Sequence, residues 1–144
     1  MSNFFELTNV DKQRIEEAKN EIVLIADQLF VLIGKRFKDT TELERQVLAT
    51  FCFGMVNTIV LIKELNQIQT HAVIISCLTS VFKYSEDQAE DFTQELINST
   101  DEEYHPVMFS IIRRGISGYQ QYVNNQKDQL KSNILEVLAI VNKK

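Results

Sequence analysis

Between Tyr84 and Ile112 the chain carries Glu86, Asp87, Glu90, Asp91, Glu95, Asp101, Glu102 and Glu103 and no Lys or Arg. That is a formal −8 against −5 for all 144 residues, which leaves +3 elsewhere. With 3.6 residues per helical turn, the first five acids fall opposite Ala89, Phe92 and Leu96 and so face solvent. Two readings stand side by side. Acids in the first turn of a helix suit its dipole, which accounts for Glu86 and Asp87 and for Asp101 to Glu103. Glu90, Asp91 and Glu95 are not explained that way. They create the like-charge pairs Glu86/Glu90, Asp87/Asp91 and Asp91/Glu95, each costing about 0.2 to 0.5 kcal/mol. A self-repelling face points to a cationic partner, and Tyr104 beside the acids is a residue type enriched at interface centres.

Other chemistry finds less support. A di-iron bundle needs two inward Glu-x-x-His motifs, and only Glu102 to His105 has the spacing, beside Pro106 at a helix start. His71 reads as a residue near a helix N-terminus. Two Cys and two His lack paired zinc-ligand spacing. Gly115-Ile116-Ser117-Gly118 lies in a helical pattern with no strand before it, unlike a phosphate-binding loop. No nucleophile elbow is present, and the helix after Ser85 carries acids where a DNA-reading helix would carry basic or amide side chains. No catalytic residue, metal or cofactor is assigned. The net negative charge disfavours nucleic acid and anionic lipid as partners.

The elements that position the acidic stretch follow from periodicity and capping. Thr8 with Asp11 opens a helix with Ile15, Ala18, Ile22, Ile25, Leu29 and Ile33 on one face, ending between Gly34 and Lys38. Lys35, Arg36 and Lys38 suit the negative end of its dipole. Thr41 and Glu44 open a second helix running to about Asn66 through Leu43, Val47, Phe51, Thr58, Ile62 and Leu65, apolar nearly all round from Phe51 to Ile62 and therefore central. A third, capped by Thr70, runs from Ala72 through Val81 and Phe82. Ser85 with Gln88 caps a fourth that carries the acids and ends near Asn98. The fifth starts between Thr100 and His105 with Pro106 in its first turn. Its apolar residues Ile112, Ile116, Tyr119 and Val123 continue into Leu130, Ile134, Val137 and Val141. Either one long helix kinked at Asn124-Asn125 or two joined at Asn124 to Lys127 satisfies that pattern.

The expected fold is all-α, a single domain over residues 1–144 built as a bundle of five or six helices. Four Gly and one Pro leave few turns, and the apolar and charged fractions are those of a folded globular protein. Gly54, Gly115 and Gly118 sit inside helices, where close crossings or simple toleration would both account for them. Seventeen uncharged residues between Arg45 and Lys63 approach the length of a membrane span. Gln46, Thr50, Asn57 and Thr58 interrupt them, and a core helix is the better reading. Cys52 and Cys77, inside apolar runs, read as reduced core residues. The polar stretch Met1 to Lys19 lacks the apolar core of a signal peptide, so a cytoplasmic protein is expected.

The run Ser99-Thr100-Asp101-Glu102-Glu103-Tyr104-His105-Pro106, after an acidic helix, resembles bacterial immunity proteins, which bind and neutralise a cognate toxin. In the small colicin-nuclease immunity family, an acidic helix and a short Ser-Asp…Tyr-Tyr-Pro element make the toxin contacts. Asp101, Tyr104 and Pro106 correspond, His105 stands where that family has a tyrosine, and this chain is longer. In size and helical pattern it is more similar to the larger all-helical immunity proteins of polymorphic toxin loci. The resemblance implies a non-enzymatic toxin inhibitor. Its partner, a toxin with a basic surface, would be held by Glu86, Asp87, Glu90, Asp91, Glu95, Asp101, Glu102, Glu103 and Tyr104. Two other classes remain open. One is a ligand-binding or regulatory domain with an apolar pocket walled by Phe51, Phe53, Met55 or Phe82. The other is an enzyme using His71 or His105.

Overall fold

The computed structural model describes residues 9–142, and among these there are six α-helices and no strand. They are α1 (Asn9–Ile33), α2 (Glu42–Ile62), α3 (Gln67–Ser80), α4 (Glu86–Asn98), α5 (Pro106–Val123) and α6 (Lys127–Asn142), with one 3-10 turn at Phe37–Asp39. The all-α bundle expected from the sequence is what forms. Thr8, expected to cap α1 with Asp11, lies outside the described residues.

Three capping boxes set the starts of α2, α3 and α4. The Thr41 hydroxyl accepts from the Glu44 amide at 3.1 Å, and the Glu44 carboxylate accepts from the Thr41 amide at 2.9 Å. Ser85 and Gln88 make the same reciprocal pair at 3.1 and 3.0 Å. For α3 the expected boundary is corrected. Asn66, not Thr70, is the cap, exchanging bonds with Gln69 at 2.8 Å in both directions. α2 accordingly ends at Ile62, and Glu64, with φ 57°, turns the chain. An amide side chain serves in this box as well as a hydroxyl, so the polar run Asn66 to Gln69 starts a helix.

α1 stops at Ile33, where Gly34 takes φ 69°. The open question of the last helix is decided in favour of two. α5 ends at Val123, Asn125 adopts φ 57°, and α6 restarts at Lys127. Asn tolerates the left-handed region better than most residues, so the Asn124-Asn125 pair is the break itself. The two helices are tied by Asn133, whose side chain accepts from Arg114 Nε at 2.6 Å and donates to the Arg114 carbonyl at 3.0 Å.

α2 is the centre of the bundle, buried from Val47 to Val56 and packed most extensively against α5. Among the described residues it is the one helix long and apolar enough to cross a membrane; here its apolar surface is spent on its neighbours. On α5 the buried stripe is Ile111, Ile112, Gly115, Gly118 and Tyr119, whereas Ile116 and Val123, expected on it, are exposed. Glycines occupy the contact line, and α2 comes so near that no side chain fits there. Cys52 and Cys77 are free and buried, their thiols against one another between α2 and α3. That neighbour and the absence of water push the Cys52 thiol well above its ordinary value.

Candidate functional site: the acidic surface of α4 and the loop after it

α4 rests on the bundle through Ala89, Thr93 and Leu96, all buried. This docking turns Glu86, Asp87, Glu90, Asp91 and Glu95 outward, and each is exposed, as the helical spacing requires. The loop that follows exposes Asp101, Glu102, Glu103 and Tyr104. The Asp101 carboxylate accepts from the Glu103 amide at 3.0 Å, which tightens the loop into a turn. The Tyr104 hydroxyl reaches back to α4 and donates to the Glu95 carboxylate, at 2.9 and 3.0 Å from its two oxygens. Helix and loop therefore form one surface.

Two of the carboxylates on α4 have partners that the sequence did not reveal. Glu95 has Tyr104, and Glu90 lies 3.0 to 3.1 Å from His71 Nε2 on α3. The spacing along α4 shows only its own repulsions, while both partners come from other elements. At these two positions the like-charge spacing of α4 is offset by contacts from outside the helix. Among the described residues no hydrogen bond or ion pair reaches the side chains of Glu86, Asp87, Asp91 or Glu102.

His105 is used by the backbone. It is the N-cap of α5, its Nδ1 accepting from the Met108 amide at 3.2 Å, with Pro106 next in the helix. The Glu102 to His105 spacing thus serves a helix start. Among the described residues no three His, Cys, Asp or Glu side chains gather as a metal site would require.

Phe51, Phe53, Met55 and Phe82, named as walls of an internal pocket, are all core residues. The gap beside Phe53 measures about 10 Å³, at the lower limit of the room for one water and too small for an organic ligand. A different apolar depression went unnoticed. It has a volume of about 150 Å³ and lies where α2, α4, α5 and α6 meet, lined by Phe92, Val107, Met108, Leu43, Ile111 and Val141 among others. Leu43 and Val107 are exposed at its edge. Helical periodicity assigned Phe92 and Leu43 to core faces, and it is the half-open packing at this end of the bundle that leaves them accessible. At the opposite end of α2, Leu61, Ile62 and Ile68 are also exposed, Ile68 at 81%.

Tyr84, at the entrance to α4, packs edge-on against Phe92 with ring centroids 5.7 Å apart. Its hydroxyl is pushed up to about 12, first by burial and then by the negative charge of Glu42, with Arg45 opposing. It stays protonated at neutral pH and holds Phe92 as an apolar wall.

Comparison with curated proteins and with solved structures finds no match. A family described as Immunity protein 48 matches residues 17–142, from the third turn of the described α1 to the end of α6. A match over nearly the whole described chain, on an all-helical bundle, leads to one assignment: the chain belongs to the Immunity protein 48 family, proteins of toxin systems whose partner is a toxin.

Proposed function

We propose that this protein neutralises its cognate toxin by binding alone, in the cytoplasm, with the acidic surface of α4 and the Asp101 to Tyr104 loop laid against a basic region of the toxin. The observation that carries this reading is the set of exposed carboxylates at Glu86, Asp87, Asp91 and Glu102, which have no cation partner among the described residues, in a stretch of single sign. A toxin that acts on nucleic acid or another anionic substrate would present such a basic surface, and covering it needs no chemistry from the inhibitor. The protein's own negative charge keeps it away from those same anionic substrates.

The test is protection of a bacterium expressing the toxin encoded beside this protein. Co-expression of the parent should permit growth. The triple variant Asp101→Lys, Glu102→Lys, Tyr104→Ala should protect less while keeping its helical circular dichroism. An equally protective triple variant removes this surface from the interface, and a parent that neither protects nor binds the toxin removes the function.

A further inference from the structure

The depression at the meeting of α2, α4, α5 and α6 is open at the surface, beside the acidic helix. Its wall is mostly apolar, with Gln46, Thr50 and His105 as its polar members, and its mouth exposes Leu43 and Val107. Its volume of about 150 Å³ suits one large side chain rather than a cofactor.

Its position links it to the acidic surface through two short steps. Phe92, on its wall, directly follows Asp91 in sequence and precedes Glu95 by three residues, and both acids are exposed. His105, also on its wall, is adjacent in sequence to Tyr104, whose hydroxyl holds the Glu95 carboxylate. No carboxylate is among the lining residues, and the acidic surface borders the depression through these two neighbours. We infer that this depression receives a single large aliphatic or aromatic side chain of the toxin, flanked on the toxin by Lys or Arg that pair with Asp91 and the loop acids.

Complementarity of charge selects the occupant. A flanking acid on the partner would face Asp91, Glu95 and Glu102 unpaired, whereas a flanking cation relieves repulsions already present within α4. Once seated, the apolar side chain is shielded from water by the surrounding polar contacts, the arrangement in which a few residues dominate affinity.

This inference rests on the toxin-binding reading above, and titration calorimetry with a catalytically inactive form of the neighbouring toxin separates the two. Val107→Trp narrows the mouth without adding charge, and Leu43→Lys with Val107→Lys makes the mouth repel a cation. Both act at exposed positions, and unchanged melting curves verify folding. Each should weaken binding about tenfold or more, as loss of a dominant interface contact does. The loss from Val107→Trp should persist at high salt, where charge effects are screened. Ile68→Lys should bind as the parent does. If the parent binds and Val107→Trp binds equally well, the depression is empty in the complex and this inference falls while the toxin-binding reading stands. If Ile68→Lys alone abolishes binding, the interface lies at the other end of α2. If the parent does not bind, both readings fall together.

Discussion

Gly54 on α2 and Gly115 on α5 face each other at a crossing that leaves no room for a methyl group on either side. A Cβ on Gly54 would stand 2.1 Å from the carbonyl oxygen of Ile112 and 3.0 Å from Cα of Gly115. A Cβ on Gly115 would stand 2.0 Å from the carbonyl oxygen of Phe51. Because the obstacles are backbone atoms, no side-chain rotation relieves them. Gly54→Ala and Gly115→Ala should each destabilise the protein by about 3 kcal/mol or more, at the upper end of overpacking costs. Gly118→Ala should cost less, about 1 to 3 kcal/mol, because its Cβ would meet the Phe51 ring, 2.5 Å away, which can turn. Urea denaturation of the three variants checks the order, and a Gly54→Ala protein as stable as the parent would contradict the crossing.

In the sequence a close crossing and simple toleration account equally for these glycines, and the structure decides for the crossing. Hydrophobic periodicity records side chains that bury area, so the Ile15 to Leu29 stripe of α1 is found where expected. Reciprocal capping also leaves a local signature, as Thr41/Glu44 and Ser85/Gln88 show. A contact line made of glycine has no hydropathy to record. On α5 the pattern was therefore drawn through Ile116, a residue the structure exposes, and the true line through Gly115 and Gly118 emerges only when α2 is in place.

On the acidic surface, the structure separates the carboxylates by partner. Asp91 gains nothing internally and repels Asp87 and Glu95 across one turn, so Asp91→Asn should be neutral or stabilising by about 0.2 to 0.5 kcal/mol. Glu90→Gln and Glu95→Gln weaken exposed contacts to His71 and Tyr104, and each should cost no more than about 1 kcal/mol. Thermal melting of the three single variants measures this. A large loss from Asp91→Asn would mean that the carboxylate is structural.

The orientation of the candidate site was readable because helical geometry alone turns the five acids of α4 away from Ala89 and Leu96. Its internal contacts were not, because His71 is nineteen residues from Glu90 and Tyr104 nine from Glu95, separations no local pattern connects. The depression beside Phe92 was invisible for a related reason. Four helices contribute to it, and whether their apolar side chains meet or leave a gap depends on packing.

The buried thiols should be silent in the native state. Cys52 is held protonated by the neighbouring Cys77 thiol and by burial, and the reactive form of a cysteine is the thiolate. Neither thiol should react with an aromatic disulfide reagent at neutral pH until the protein unfolds, and denaturant should then release both. Rapid labelling of either in the folded protein would show that the α2 and α3 packing opens.

Glu44 predicts how stability responds to acid. Its carboxylate accepts from Lys35 Nζ at 2.6 Å, from the Thr41 amide at 2.9 Å and from the Asn142 side chain at 3.4 Å. The bond from Lys35 comes first among the causes that hold it below the ordinary carboxylate value of 4.5, burial opposing. The unfolded chain therefore takes up this proton more readily than the folded one, so stability from Glu44 is complete above the ordinary value. It is lost as pH falls through the lower value of the folded state. Glu44→Gln removes the charge-assisted bond at every pH and should cost about 1 to 3 kcal/mol near neutrality. The gap between parent and variant should narrow below about pH 4, where the parent's carboxyl is protonated as well. Denaturant midpoints of both proteins across that range decide the matter. A gap that stays constant down to the lowest pH would mean that Glu44 holds the N-terminus of α2 by shape and hydrogen bonding, with its charge contributing nothing.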